Sequence, residues 1–235
     1  MSGFFVTFEG GEGSGKTTQI ALLAESLRRR GDEVVTTREP GGSEGADAVR
    51  QLILSGAAEV LGPEIETILF QAARIDHIAA VIAPALAAGR IVLCDRFYDS
   101  TRVYQGLAHV DPRLLDFLEA AALGDLRPDL TIVLDIPAAT GLARASSRRG
   151  GAPVDRFERE AIGTHEARRQ AFLAIAAAED QRCVVVDATR TPEAVAVEID
   201  FLVRERLECR HLEMRGRTSP PAVAAASRAA GAGRA

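Results

Sequence analysis

The stretch Glu9-Gly10-Gly11-Glu12-Gly13-Ser14-Gly15-Lys16-Thr17-Thr18 contains the spacing Gly-x-x-x-x-Gly-Lys-Thr, from Gly10 to Thr17. These residue types at this spacing suit a nucleotide polyphosphate. Glycines at 10, 13 and 15 allow backbone N–H groups to turn inward around phosphate oxygens, and a helix starting at Lys16 adds the partial positive charge of its N-terminus. The Lys16 ammonium would reach β- and γ-phosphates, and the Thr17 hydroxyl would ligate Mg2+. Gly11, Glu12, Ser14 and Thr18 complete the set expected around ATP. Glu12 is the odd member, a carboxylate inside a loop built for anions, and it raises the question of where the compensating positive charge lies.

Other groups could supply that charge. Arg96, in CDRFYDSTRVYQG (94–106), suits bidentate capture of a phosphate, and Asp95 beside it could hold the Mg2+ shell or a hydroxyl. Arg38, in TREPGG (37–42), is a second phosphate clamp, although Pro-Gly-Gly standing alone equally describes an ordinary turn. The segment ARASSRRGGAPVDRFERE (143–160) carries Arg144, Arg148, Arg149, Arg156 and Arg159. A run of charges is usually a solvated surface. Opposite a phosphate loop that lacks an arginine, it reads instead as a lid over about 144–159, hinged at Gly150 and Gly151. Its closure would bring Arg148, Arg149 or Arg156 over the transferring group and exclude water. The loop does not by itself name a reaction, since switches, motors, ATPases and kinases share it. Asn-Lys-x-Asp and Asp-x-x-Gly, which a guanine-reading switch would carry, do not occur.

These residues need a scaffold. Five continuous apolar runs recur, FFVTF (4–8), EVVTT (33–37), RIVLCD (90–95), LTIVLD (130–135) and RCVVVD (182–187). Continuous rather than alternating runs predict strands covered on both faces, as in a parallel sheet. Helices are predicted over 16–30, 46–54, 63–88, 113–122, 138–148, 158–178 and 192–210. The fold class is therefore α/β, a five-stranded doubly wound parallel sheet flanked by helices with a small arginine-rich lid. Ligands on such sheets bind beyond the carboxyl ends of strands, where Asp95 and Arg96 fall. One domain is expected over 1–211, followed by a disordered tail over 212–235 that is rich in Ala, Pro, Gly, Ser and Arg.

Bulk properties narrow the class. A formal net charge of −5 argues against a broadly basic nucleic-acid-binding surface. Three cysteines, Cys94, Cys183 and Cys209, suggest neither a disulfide framework nor a zinc site and fit a reducing cytoplasm. The N-terminus does not read as a signal peptide. The longest apolar stretch, 78–89, is short for a bilayer and contains Pro84, so no membrane association is expected.

EGGEGSGKTT, TREPGG and DRFYDSTRVYQG, in this order and spacing, closely resemble thymidylate kinases, from about Phe4 to about Leu207. LGDLRPDLTIVLD and VVDATRTPEAV are similar to the family as well. The resemblance implies a P-loop NTPase fold, transfer of the ATP γ-phosphoryl group to dTMP with Mg2+, and a homodimer. It also implies roles for single residues. Phe70 stacks on thymine and Arg74, four residues on, bonds a base carbonyl; as an isolated pair they would read as core and solvated surface. Tyr104 lies beneath the sugar and crowds out a 2′-hydroxyl, Ser100 and Thr101 contact the base edge, and Gln105 walls the pocket. Glu9 helps position Mg2+ or the sugar, and Arg144 stacks on adenine. Arg38 and Arg96 hold the acceptor phosphate. Departures from the family pattern are Phe97 for Tyr, Arg102 near the acceptor, a longer lid, and Thr164 and Ala167 where Phe and Arg are common. Two other readings stand beside this one, a kinase for another acceptor such as dUMP or a deoxynucleoside, and a regulatory protein that uses ATP as a switch.

Overall fold

Each apolar run becomes a strand. The computed structural model describes residues 3–149, 157 and 160–218, apart from the side chains of 148, 149, 211 and 213–218. Among these residues, β1 (Phe4–Glu9), β2 (Val34–Arg38), β3 (Ile91–Asp95), β4 (Leu130–Asp135) and β5 (Cys183–Asp187) form one parallel sheet in the order β2-β3-β1-β4-β5. The helices are α1 (Lys16–Arg29), α2 (Glu44–Leu54), α3 (Pro63–His77), α4 (Ala83–Ala87), α5 (Tyr98–Leu107), α6 (Pro112–Leu123), α7 (Ala138–Arg149), α8 (Ile162–Ala178) and α9 (Pro192–Thr218).

The central strands are covered on both faces, which is why they read as unbroken apolar runs. Phe4, Val6 and Phe8 point into a core shared with Ile20, Leu23 and Leu27 of α1 and Ile199 and Val203 of α9. Phe5, Val92 and Cys94 face the other layer with Ile82, Phe97, Tyr98 and Leu123. Each large side chain buried here contributes about 1.5–3 kcal/mol. The edge strands β2 and β5 are only partly covered.

Pairing register sets the ligand end of the sheet. Phe8 lies opposite Asp95, and Asp95 opposite Arg38, so the chemistry-bearing residues stand side by side where the strands end.

Three elements differ from the sequence expectation. Helix α5 was not expected, because YDSTRVYQGL has little apolar periodicity. The long helix after Pro63 contains a π turn at Ile78–Ile82. Pro84 follows within the helix, where its ring would crowd a normal turn and where it offers no N–H. Taken through that turn, Pro63–Ala87 is 25 residues long and apolar enough by composition to cross a membrane, although a third of its most apolar window is buried within the protein. Helix α9 continues to Thr218, past the 210 boundary, because HLEM (211–214) holds no helix breaker. Residues 219–235, most of the expected tail, lie outside the described residues.

Candidate active site

The phosphate loop leaves β1 at Glu9 and enters α1 at Lys16, with Gly15 as the left-handed residue before the helix at φ 95°. Close packing leaves no room for a side chain at Gly13, whose Cβ would stand 1.9 Å from the Gly141 carbonyl oxygen. In turn, a Cβ on Gly141 would meet the Glu12 carbonyl oxygen at 2.3 Å, so loop and α7 touch backbone to backbone. The Lys16 ammonium donates to the carbonyls of Gly10 (3.1 Å) and Gly11 (3.0 Å) at the loop's centre. Burial, and then the neighbouring Arg96, push its pKa down to about 8 against the pull of Asp95, Glu12 and Glu9. Thr17 donates to Asp95 at 2.8 Å.

Lys16, Thr17, Asp95 and Arg96 line one cavity of about 250 Å3 together with Arg38, Phe70, Arg74, Ser100, Thr101, Tyr104 and Gln105. The structure thus brings together residues from the ends of β2 and β3, from α3 and from α5. Glu12, Gly13 and Gly15 of the loop line it too. Gly10, Gly11, Ser14 and Thr18 lie outside its lining, Ser14 being buried and Thr18 exposed on α1.

The Glu12 carboxylate faces Arg96 and Tyr104 instead of the nucleotide side expected for it. Arg96 donates to it at 2.6 Å and the Tyr104 hydroxyl at 3.0 Å. Burial would raise the Glu12 carboxyl, but Arg96 and Lys16 bring it down to about 2. Arg96 also donates to the Gly10 carbonyl and to Ser100 Oγ, and its backbone holds φ 67°, a region that costs a non-glycine residue on the order of 1–3 kcal/mol. The guanidinium lies against the loop at Gly10 and Glu12.

Arg74 is almost fully buried, where its Nε donates to Glu39 (2.7 Å), Nη1 to Gln71 (2.8 Å) and Nη2 to Thr101 (3.1 Å). Glu39 also meets His77 Nδ1 at 3.1 Å, and His77 Nε2 lies 2.6 Å from Thr37 Oγ1. Glu39 and Gln71 were not anticipated, since an acidic residue before Pro40 carries no signal without its partner. Other lining residues that the sequence did not single out are Arg50, Leu54 and Phe157.

Glu9 does not reach the cavity. It is wholly buried and accepts from Phe97 N (2.8 Å), Ser100 N (3.3 Å) and Ser100 Oγ (2.6 Å), capping the N-terminus of α5. The carboxylate is thus turned to the start of α5 and not to the cavity. Burial, reinforced by Asp99, raises its pKa to about 7. Arg102 also turns away from the acceptor side, pairing with Glu119 (2.8 Å) and Glu179 and lying over the Tyr98 ring. Phe97 is buried against Phe5 and Tyr98, so its ring belongs to the core while also bordering the cavity. Arg144 donates to the carbonyls of Ala188 (2.8 Å) and Thr189 (3.2 Å) outside the cavity. Arg156 and Arg159 lie outside the described residues, as do the side chains of Arg148 and Arg149.

Comparison with known proteins agrees with this geometry. The family described as thymidylate kinase matches residues 8–199. The chain is 56% identical over 206 residues to a thymidylate kinase of Bradyrhizobium sp. (strain ORS 278), covering 87% of this chain and 91% of that one. It is 54% identical over 205 residues to a thymidylate kinase of Nitrobacter winogradskyi, covering 87% and 89%. With the phosphate loop, the Asp95-Arg96 strand end and side chains of α3 and α5 converging on one cavity, and with relatives matched across nearly their full length, the chain belongs to the thymidylate kinase family.

Proposed function

We propose that this chain performs the family's reaction, ATP-dependent phosphorylation of dTMP to dTDP, in the cavity between the phosphate loop and α5. The observation that carries the reading is the meeting of Lys16 and Arg96, two phosphate-seeking cations, in a cavity also lined by Phe70, Arg74 and Tyr104. Backbone N–H groups of residues 10–18 and Lys16 hold the ATP phosphates. Arg96 and Arg38 hold the dTMP phosphate, an oxygen of which attacks the γ-phosphorus in line. The bond from that phosphorus to the β–γ bridging oxygen breaks, and ADP leaves with the electron pair. The attacking phosphate, with a second pKa of about 6, is already a dianion near neutrality, so alignment and charge stabilisation are the protein's main tasks.

Phe70 and Arg74 read the base, with Ser100, Thr101 and Gln105 along the wall and Tyr104 under the sugar. The fixed triplet of Arg74 contacts leaves its orientation set before the base arrives. Arg144 faces adenine, and Arg148, Arg149 and Arg156 in the lid stabilise the transferring group. Thr17 and Asp95, hard oxygen donors 2.8 Å apart at the cavity, suit Mg2+ shared with phosphate oxygens. Mg2+ there would neutralise phosphate charge. Residues 1–211 act as the catalytic unit, a homodimer in the cytoplasm without nucleic-acid or membrane partners, and the segment beyond has no part in catalysis.

The test is a coupled ADP-release assay over a panel of nucleoside monophosphates, repeated with Arg148→Ala, Arg149→Ala and Arg156→Ala. Fast release with dTMP alone is expected, with kcat down by about 10³-fold in at least one lid variant. Slow release independent of acceptor would instead indicate a nucleotide switch, and unchanged kcat in all three variants would remove the lid arginines from the mechanism.

A further inference from the structure

Arg168 sits on α8, outside every motif described so far, and only 5% of its surface is exposed. Nη2 donates to Glu160 at 2.6 Å. Nε and Nη1 are buried with no hydrogen-bond partner. A buried guanidinium with two unpaired donors needs another source of stabilisation. Its carbon stands 4.1 Å from the centre of the Tyr104 ring, a close cation–π contact, and 5.7 Å from that of Phe157. The ring thus faces the part of the guanidinium that Glu160 leaves unbonded.

A second cavity, of about 380 Å3, lies behind Tyr104 and is lined also by Gln105, Phe157, Glu160, Thr164 and Arg168. Its wall of carboxylates, with Glu59 and Glu66 added, does not suit an anion, and Arg168 is already tied to Glu160. The space instead gives the Tyr104 ring somewhere to go. On its other side the tyrosine is committed to the acceptor site. Its hydroxyl donates to Glu12 Oε1, the oxygen that also takes Arg96 Nη2, and Arg96 itself lies 5.2 Å from the ring centre.

We infer that Arg168 is a positioning residue for the acceptor site, holding the Tyr104 ring out of the cavity behind it and thereby fixing Glu12 and Arg96 for the incoming nucleotide. This rests on the acceptor reading proposed above. Arg168 touches no substrate; it acts through the tyrosine. A cation is suited to the task because it grips the ring face without competing for the hydroxyl. Loss of this grip affects acceptor binding and leaves the donor side, held by the loop and Lys16, intact.

The experiment is steady-state kinetics with dTMP and UMP for Arg168→Met, Arg168→Lys and Tyr104→Phe. Arg168→Met keeps the apolar stem and removes the charge. It is expected to raise KM for dTMP about tenfold, with kcat and KM for ATP within about twofold, and to narrow the preference for dTMP over UMP. Arg168→Lys, which restores a cation over the ring, is expected to recover most of the loss and serves as the test if the methionine variant fails to fold. An unchanged KM for dTMP in Arg168→Met would overturn the inference, as would equal increases in both KM values that lysine does not rescue. Tyr104→Phe separates the two readings. If its KM for dTMP is also unchanged while ADP release still requires dTMP, the tie from Tyr104 to Glu12 does not serve the acceptor site and the inference fails; if ADP release requires no acceptor, the acceptor reading itself fails; if KM rises in Tyr104→Phe and not in Arg168→Met, only the role of Arg168 fails.

Discussion

At the scale of single residues, the acidic member of the phosphate loop is answered by Arg96 at 2.6 Å, so the loop carries its own countercharge on the acceptor side. That arrangement lowers the charge available to a second phosphate unless Glu12 gives way or the lid adds more. Lys16 shows the same economy. Its folded pKa of about 8 lies below the ordinary 10.5, so without phosphates it sheds its proton as the pH rises through about 8. Polyphosphate favours the charged form and raises that pKa again. ATP binding should therefore take up a proton above about pH 8, approaching one per ATP, and little below about pH 7. Titration calorimetry in two buffers of different ionisation enthalpy measures this directly. Lys16→Arg, which does not titrate, should abolish the uptake; equal uptake in both proteins would mean that another group carries it.

At the scale of elements, the backbone contact between Gly13 and Gly141 joins the phosphate loop to α7, the helix that leads into the lid segment. Gly141→Ala is expected to cost roughly 1–3 kcal/mol through overpacking and to raise KM for ATP, since its methyl would push on the Glu12 carbonyl 2.3 Å away. A melting temperature and KM like those of the parent would show that α7 yields freely. The glycines of the loop were legible in the sequence, but their partner was not, because Gly141 lies on a helix 128 positions beyond Gly13 and carries no motif. The five strands were legible because burial on both faces leaves an unbroken apolar mark. Helix α5 left no such mark. It lies between core and cavity, burying Asp99, Thr101 and Gln105 as well as Val103, so polar residues occupy positions where periodicity looks for apolar ones. The contact of Glu9 with α5 was hidden for a related reason. A carboxylate beside a phosphate loop suggests a metal, and only the third dimension reveals that it caps this helix.

At the scale of the whole molecule, the sheet gathers the ligand residues at one end, while α3 presents another surface. Ile65, Ile68 and Ile75 form an exposed apolar stripe at helical spacing, between 42% and 49% exposed, and Phe117 of the neighbouring α6 is 69% exposed. Stripes of this kind mark association surfaces. Light scattering should give twice the mass of the chain, and Ile68→Asp combined with Ile75→Asp should give a monomer; a parent protein that is already monomeric would refute the homodimer. Electrostatics also acts across the molecule. With the Glu9 carboxyl raised to about 7, the folded protein holds a proton that the unfolded chain releases near 4.5, so this group weakens the fold as the pH rises between those values.

The left-handed backbone at Arg96 has a further consequence, in the language of selection. Glycine would adopt that conformation without cost but would leave the Glu12 carboxylate without its guanidinium, so a library screened for thermal resistance alone should enrich glycine at 96 only where Glu12 is replaced as well. A library screened for growth that depends on this reaction should eliminate it. Position 96 is therefore where heritable robustness and catalytic fitness pull the same codon in opposite directions.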